Sequence, residues 1–191
     1  MIDIQNIRPT GILHVGGNVG QEAALYNSMG AKRVVWIEAN PYLIDELMKN
    51  VEQYDHEVYS FAAGENEGTV VLHITNNDGL SSSVLDLGTH SLHHPTVHYI
   101  EDIKVPMRRV DSIDLTDLDF LVIDVQGFEL MVLRGFQNLS QFKWILLEVN
   151  KEELYKGCAL IDEIDEYLKD YKRVETVWTE NNWGESLFVK L

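Results

Sequence analysis

Three glycines, an asparagine and an acid are spaced as a nucleoside-bearing ligand would need them. The chain reads Val15-Gly16-Gly17-Asn18-Val19-Gly20, and Glu38 follows in Trp36-Ile37-Glu38-Ala39-Asn40-Pro41. Glycines leave the backbone bare, so a ligand can approach it closely. An acid about 20 residues further on, at the end of an apolar run, can accept hydrogen bonds from both ribose hydroxyls. A dinucleotide loop requires glycines at i, i+2 and i+5. Counting back from Gly20 puts Val15 at the first of them, so that fingerprint fails and a nicotinamide cofactor is disfavoured. Gln21-Glu22 sets an acid where a pyrophosphate would want open N–H groups, and no Gly-Lys-Ser/Thr follows. The Gly-x-x-x-Gly spacing with Asn18 inside it fits S-adenosylmethionine, which has no phosphate and carries a sulfonium cation. The same glycines also suit a tight turn with no ligand.

A second set of residues offers acid–base chemistry. Asp124 closes the apolar run Phe120-Leu121-Val122-Ile123 and Glu148 closes Trp144-Ile145-Leu146-Leu147, with Asn150 just beyond. Residues at strand ends lie on the carboxyl edge of a parallel sheet, where open α/β folds bind ligands. A carboxylate there is partly desolvated, which raises its pKa and makes it a better base for a hydroxyl proton. Asp124 is the first candidate base; holding the cofactor or capping the Gly127 turn is its other reading. Together with Glu148 it suits a base with its orienting partner or, as a secondary reading, a divalent-metal site. Glu129 is either a substrate contact or an acid stabilising a helix N-terminus. Residues 75–106 hold Ser81, Ser82 and Ser83 as small hydroxyl donors and four of the seven histidines, His90, His93, His94 and His98. His94 is the candidate for a substrate-facing base. Zinc on residues 90, 94 and 98 of one helix is opposed by Pro95, and solvated loop histidines are the default.

The elements that must position these groups alternate. Strands are expected over Ile12–Val15, Val34–Ile37, Val58–Ala62, Thr69–Ile74, Phe120–Val125 and Trp144–Val149. Several are the nearly continuous apolar runs of strands covered on both faces. Helices are expected over Gln21–Met29, closed by Gly30, and from Pro41 through Leu43, Ile44, Leu47, Met48 and Val51. Another follows through Leu160, Ile161, Ile164, Tyr167, Leu168 and Tyr171. Arg173–Thr179 and Leu187–Lys190 flank the turn signal Asn181-Asn182-Trp183-Gly184 and form a closing hairpin. The segment 75–106 looks long and poor in regular structure, a substrate-side loop or lid. The fold class is α/β, a mostly parallel sheet with an antiparallel final strand.

Bulk properties narrow the partners. At 191 residues the chain is expected to form one domain, residues 1–191, with a full core. The net charge of −16 repels phosphate backbones, so a nucleic-acid partner is not expected. One cysteine, Cys158, rules out an internal disulfide and fits a reducing compartment. No apolar run approaches the length of a membrane span and no signal peptide opens the sequence, which gives a cytoplasmic expectation.

Four blocks together resemble the FkbM family of S-adenosylmethionine-dependent methyltransferases. They are Val15–Gly20 with Trp36–Pro41, Ser81–Leu85, Asp119–Glu129 and Trp183–Lys190. Asp119-Phe120-Leu121-Val122-Ile123-Asp124-Val125-Gln126-Gly127-Phe128-Glu129 is similar to the family's Lys-Ile-Asp-Val-Glu-Gly-x-Glu signature. The resemblance implies a Rossmann-like class I fold of about seven strands, with helices on both faces, and O-methylation of a sugar or glycan hydroxyl, a deoxyhexose such as rhamnose favoured. It implies a cofactor site of His14, Gly16, Gly17, Asn18, Gly20, Glu22, Glu38, Ala39, Ala62, Ala63 and Asp124. The acceptor would meet Ser81, Ser82, Ser83, Gln126 and Glu129, and would be a free, nucleotide-linked or glycan sugar, with a glycosyltransferase as a plausible partner. Three positions depart from the family. His14 stands where Asp is usual and brings no charge, Gln126 replaces Glu and cannot take a proton, and Gly17 replaces Ala.

Overall fold

The computed structural model describes all 191 residues. Its ten strands are β1 (Gly11–Val15), β2 (Arg33–Glu38), β3 (Glu57–Ser60), β4 (Ala62–Ala63), β5 (Gly68–Thr75), β6 (Tyr99–Arg108), β7 (Phe120–Ile123), β8 (Trp144–Asn150), β9 (Tyr171–Trp178) and β10 (Trp183–Lys190). Five short helices are α1 (Ala23–Met29), α2 (Ile44–Val51), α3 (His90–His93), α4 (Glu129–Arg134) and α5 (Ile161–Tyr167).

Seven strands form one sheet in the order β3-β2-β1-β7-β8-β10-β9. All neighbours pair in parallel except β10, which runs antiparallel to both β8 and β9. This is the Rossmann-like arrangement expected from the alternating elements. β1, β2 and β7 are apolar at nearly every position because both of their faces are covered. Leu13, Val15, Leu121, Ile123, Ile145 and Leu147 point into one core layer, while Ile12, Val34, Trp36, Phe120, Val122 and Leu146 point into the other. The chain moves outward from β1 to β2 and β3 and then returns to β7, so the order reverses between β1 and β7. Ligands bind at such a reversal, outside the carboxyl ends of the strands; Gly16 and Asp124 occupy those two ends.

The expected helix Gln21–Met29 starts at Ala23, because Gln21 and Glu22 belong to the turn that brings the chain out of the glycine loop. The helix after Pro41 starts at Ile44, and β7 ends one residue before Asp124. The segment 75–106 is more regular than its sequence suggests. β6 takes up its last residues and pairs along the whole of β5, and with the two-residue β4 it makes a second, three-stranded sheet. Only Val105 of β6 is fully buried, four of its residues are charged and Pro106 interrupts it, so the alternation that marks a half-buried strand is faint. β5 and β6 leave residues 76–98 as the true connection, with the short α3 inside it. No helix is long and apolar enough to cross a membrane.

Candidate cofactor and catalytic site

β1 ends in a turn that only glycine can make. Gly16 has φ +89°, and a Cβ there would stand 1.7 Å from the carbonyl oxygen of Asp124. The backbone of the glycine loop therefore lies directly against the end of β7. Gly16 and Gly17 both donate to the carbonyl of Ile37, which ties the loop to β2. Gly17 and Gly20 face inward, toward Trp36 and Leu47, so their bareness serves packing more than ligand approach.

Glu38 closes β2 and is 8% exposed. Its two oxygens accept from the backbone N–H of Asn18, at 2.7 Å, and of Asn40, at 2.6 Å. Those bonds fix the carboxylate beside the glycine loop. Burial outweighs them and lifts its pKa to about 7. His14, at the end of β1, is 5% exposed, meets the Tyr26 hydroxyl through Nδ1 at 2.9 Å and stacks on Trp36 with ring centroids 4.8 Å apart. Burial holds its pKa down to about 3, so the ring is neutral at physiological pH.

A cavity of about 230 Å³ opens over these strand ends. His14, Gly16, Asn18, Glu22, Glu38, Ala39, Ala62, Ala63 and Asp124 all line it, as do Ser82, Ser83 and Gln126. Its apolar wall includes Phe61, Leu72, Val125 and Phe128, and no lysine or arginine faces it. Phe61, Leu72 and Phe128 escape sequence reasoning because they sit as ordinary core residues in strands and turns. An apolar slot with a fixed acid at one end, bare backbone beside it and no cation suits an adenosine carrying a positive sulfonium, and does not suit a phosphate.

Asp124 and Glu148 come together through Gln126. The Gln126 side-chain amide donates to Asp124 Oδ1 at 2.6 Å and to Glu148 Oε2 at 3.1 Å. Its Oε1 accepts from the Tyr155 hydroxyl at 2.7 Å, and its backbone carbonyl accepts from Ser83 Oγ at 2.7 Å. Gln126 holds this position from a left-handed backbone, φ +56°. Asp124 is exposed to the cavity although protein surrounds it; this enclosure raises its pKa, and the Glu185 charge adds to the rise against the Gln126 bond. Glu148 is 9% exposed and held well above the usual carboxylate range by burial and by the Asp124 and Glu129 charges. Two acids so close repel as carboxylates, which favours a shared proton and makes the ionised member a stronger base than an isolated carboxylate.

Other expected residues fall elsewhere. Glu129 does not line the cavity: its Oε1 accepts from the backbone N–H of Val125, at 3.1 Å, and of Gly127, at 3.0 Å, bracing the turn after Asp124. Burial lifts its pKa to about 7. Ser81 lies behind the wall, and its carbonyl receives the Tyr155 hydroxyl at 3.3 Å. His94 also lies off the cavity, with Nε2 3.3 Å from Asn181 Nδ2 in the final hairpin turn and its ring over His90. α3 covers only His90–His93, so residues 90, 94 and 98 do not stack on one helix, and no group of three or more His, Cys, Asp or Glu is arranged to hold a metal. Cys158 is buried and its thiol pushed up by that burial, which leaves it a packing residue.

Residues 14–174 match the methyltransferase FkbM domain. The fold is similar to methyltransferase FkbM from Methylobacillus flagellatus KT, with a TM-score of 0.60 and 19% identity over 94% of this chain and 43% of that one. It is similar to a SAM-dependent methyltransferase from Aquifex aeolicus, with a TM-score of 0.52 and 14% identity over 98% and 86% of the two chains. It is also similar to Aeropyrum pernix fibrillarin solved with S-adenosyl-L-methionine, with a TM-score of 0.52 and 13% identity over 99% and 70%. The chain thus spans less than half the length of the Methylobacillus protein. No curated protein matches the sequence.

Proposed function

This chain belongs to the FkbM methyltransferase family, and we propose that it transfers the methyl group of S-adenosylmethionine to a hydroxyl of a sugar or glycan, a deoxyhexose such as rhamnose being favoured. The observation that carries this reading is the shared cavity. The fixed Glu38 carboxylate, the bare Gly16 backbone, Asp124 and Gln126 all face one space at the point where strand order reverses, and Glu148 is tied to them through the Gln126 amide. Glu38 would accept from the ribose diol, Phe61, Ala62 and Ala63 would flank the base, and His14, Asn18 and Glu22 would surround the methionine end.

When bound, S-adenosylmethionine would supply an electrophilic methyl on a sulfonium, the C–S bond breaking to a neutral thioether as the C–O bond forms. The protein's part is to hold the acceptor oxygen in line and to take its proton. Such positioning is worth several kcal/mol of barrier. Asp124 takes the proton, because it is the member of the acid pair that opens to the cavity and its raised pKa makes it a stronger base than an ordinary carboxylate. Gln126 keeps Asp124 pointed by donating to it and to Glu148, with Tyr155 holding the far end of the amide. Gln126 thus supports the acid pair as a neutral spacer, where a glutamate would add a third negative charge.

The test is release of S-adenosylhomocysteine from S-adenosylmethionine in the presence of methyl rhamnoside and related glycosides, by the parent chain and by Asp124→Asn. The reading requires turnover by the parent and its loss in the variant with cofactor binding retained. Cofactor binding without turnover of any hydroxyl acceptor would leave a cofactor-binding module instead.

A further inference from the structure

A second cavity, of about 470 Å³, meets the first at His14, Gln21, Glu22 and Asp124. It runs between α1 and the ends of β7, β8 and β10, and Trp183 forms part of its wall beside Glu148 and Glu185. Five acids therefore line it: Asp3, Glu22, Asp124, Glu148 and Glu185. No lysine or arginine lines it. The Met1 ammonium lies 4.0 Å from Glu185 but is 91% exposed, so water screens it.

Polar atoms in this space lack a protein partner. Glu22 Oε2 is buried without a hydrogen bond. His14 is 5% exposed, lines both cavities and bonds through Nδ1 alone, so its second ring nitrogen is free for a ligand. Glu148, nine-tenths buried, lines the cavity and bonds Gln126 through Oε2, with the Asp124 carboxyl as its other neighbour. Buried polar groups are ordinarily satisfied, and the free atoms of Glu22 and His14 are satisfied only by something that enters.

We propose that the second cavity is the acceptor site and that, among sugars, it takes one carrying a protonated amine in preference to a neutral deoxyhexose, and rejects one linked to phosphate. The inference rests on the methyltransferase reading above, since the acceptor must meet the cofactor where the two cavities join. With Glu22 taken by the methionine end of the cofactor, the ammonium of the acceptor would sit between Glu148 and Glu185, the sugar ring would lie on Trp183, and the reacting hydroxyl would reach Asp124. A phosphate or a nucleotide diphosphate would face five acids with no lysine or arginine among them. An ammonium does the reverse, drawing protons off acids that burial forces together.

Three probes that share a glucose ring isolate the charge: methyl glucosaminide, methyl glucoside and glucose 1-phosphate. Each is titrated by ligand-observed saturation-transfer NMR onto protein saturated with S-adenosylhomocysteine, whose own binding is followed by calorimetry in the same sample. The expected order is glucosaminide about tenfold tighter than glucoside, the factor of one charge-assisted hydrogen bond, with no signal from glucose 1-phosphate. Glu185→Gln should shrink the amine preference severalfold. Binding of the phosphate, equal binding of all three or binding of none at millimolar concentration would overturn the proposal. A failure of S-adenosylhomocysteine itself to bind would instead defeat the methyltransferase reading.

Discussion

Replacing Glu38 with Gln separates the acid's work on a ligand from its cost to the fold. The side chain is 8% exposed, and its oxygens already accept at 2.7 Å from Asn18 and at 2.6 Å from Asn40. A carboxylate has about four acceptor sites, so two are left for a ribose diol. Gln keeps one acceptor oxygen and turns the other end into a donor that meets a backbone N–H. One charge-assisted bond lost is worth about 1.5–3 kcal/mol, or roughly 10- to 100-fold in affinity. Stability moves under two opposed effects. Burial lifts the Glu38 carboxyl from 4.5 to about 7, so its ionisation at pH 8 costs the folded chain on the order of 3 kcal/mol, which neutral Gln escapes. Against that, one orphaned buried N–H costs about 1–3 kcal/mol. Near-cancellation is expected, so the melting temperature at pH 8 should move by only a few degrees while S-adenosylhomocysteine affinity falls 10- to 100-fold. Differential scanning fluorimetry and isothermal titration calorimetry measure the two. A variant that keeps its melting temperature and binds within about threefold of the parent refutes the ribose role.

Gly16→Ala should abolish cofactor binding and lower the melting temperature by at least several degrees, because the added Cβ meets the Asp124 carbonyl at 1.7 Å in a left-handed backbone; a thermal melt near that of the parent contradicts the close β1–β7 approach. Tyr155→Phe should leave S-adenosylhomocysteine affinity within about twofold but reduce kcat roughly tenfold, by freeing Gln126 Oε1 from its 2.7 Å bond. Glu38 and Glu129 both keep their protons to about pH 7 when folded, while the unfolded chain releases them near 4.5. Their contribution to stability is thus complete below about pH 4.5 and is lost as pH rises through 7. Guanidinium midpoints should fall from pH 5.5 to pH 8, and Glu129→Gln should flatten that decline; an equally steep decline in the variant refutes the assignment.

The parts of the fold legible in sequence were those buried on both faces. β1, β2, β7 and β8 are apolar runs, and their carboxyl ends announced Glu38, Asp124 and Glu148 as neighbours of one cleft. β6 was hidden, because a sheet with one wet face and Pro106 in it carries only a faint alternation. Within the site, residue type suggested the acids but not their wiring. That Gln126 bridges Asp124 and Glu148 depends on β7 and β8 lying side by side and on a left-handed turn, neither of which is local in the chain. Tyr155 reaches the same amide from 29 residues away, and Glu185 enters only because β10 lies antiparallel to β8 and sets it opposite Glu148. Glu129 reads equally as a substrate contact or as an acid at a helix N-terminus, and it is turned to the backbone N–H groups of the turn before α4, a choice between two acceptor roles that spacing alone does not make.

Calorimetric titration of the purified chain with S-adenosylmethionine, S-adenosylhomocysteine and NAD tests the central claim most directly. The account predicts micromolar binding of the first two, despite the neutral His14 in place of an acid, and no binding of NAD. Binding of NAD, or of neither adenosyl compound, would contradict it.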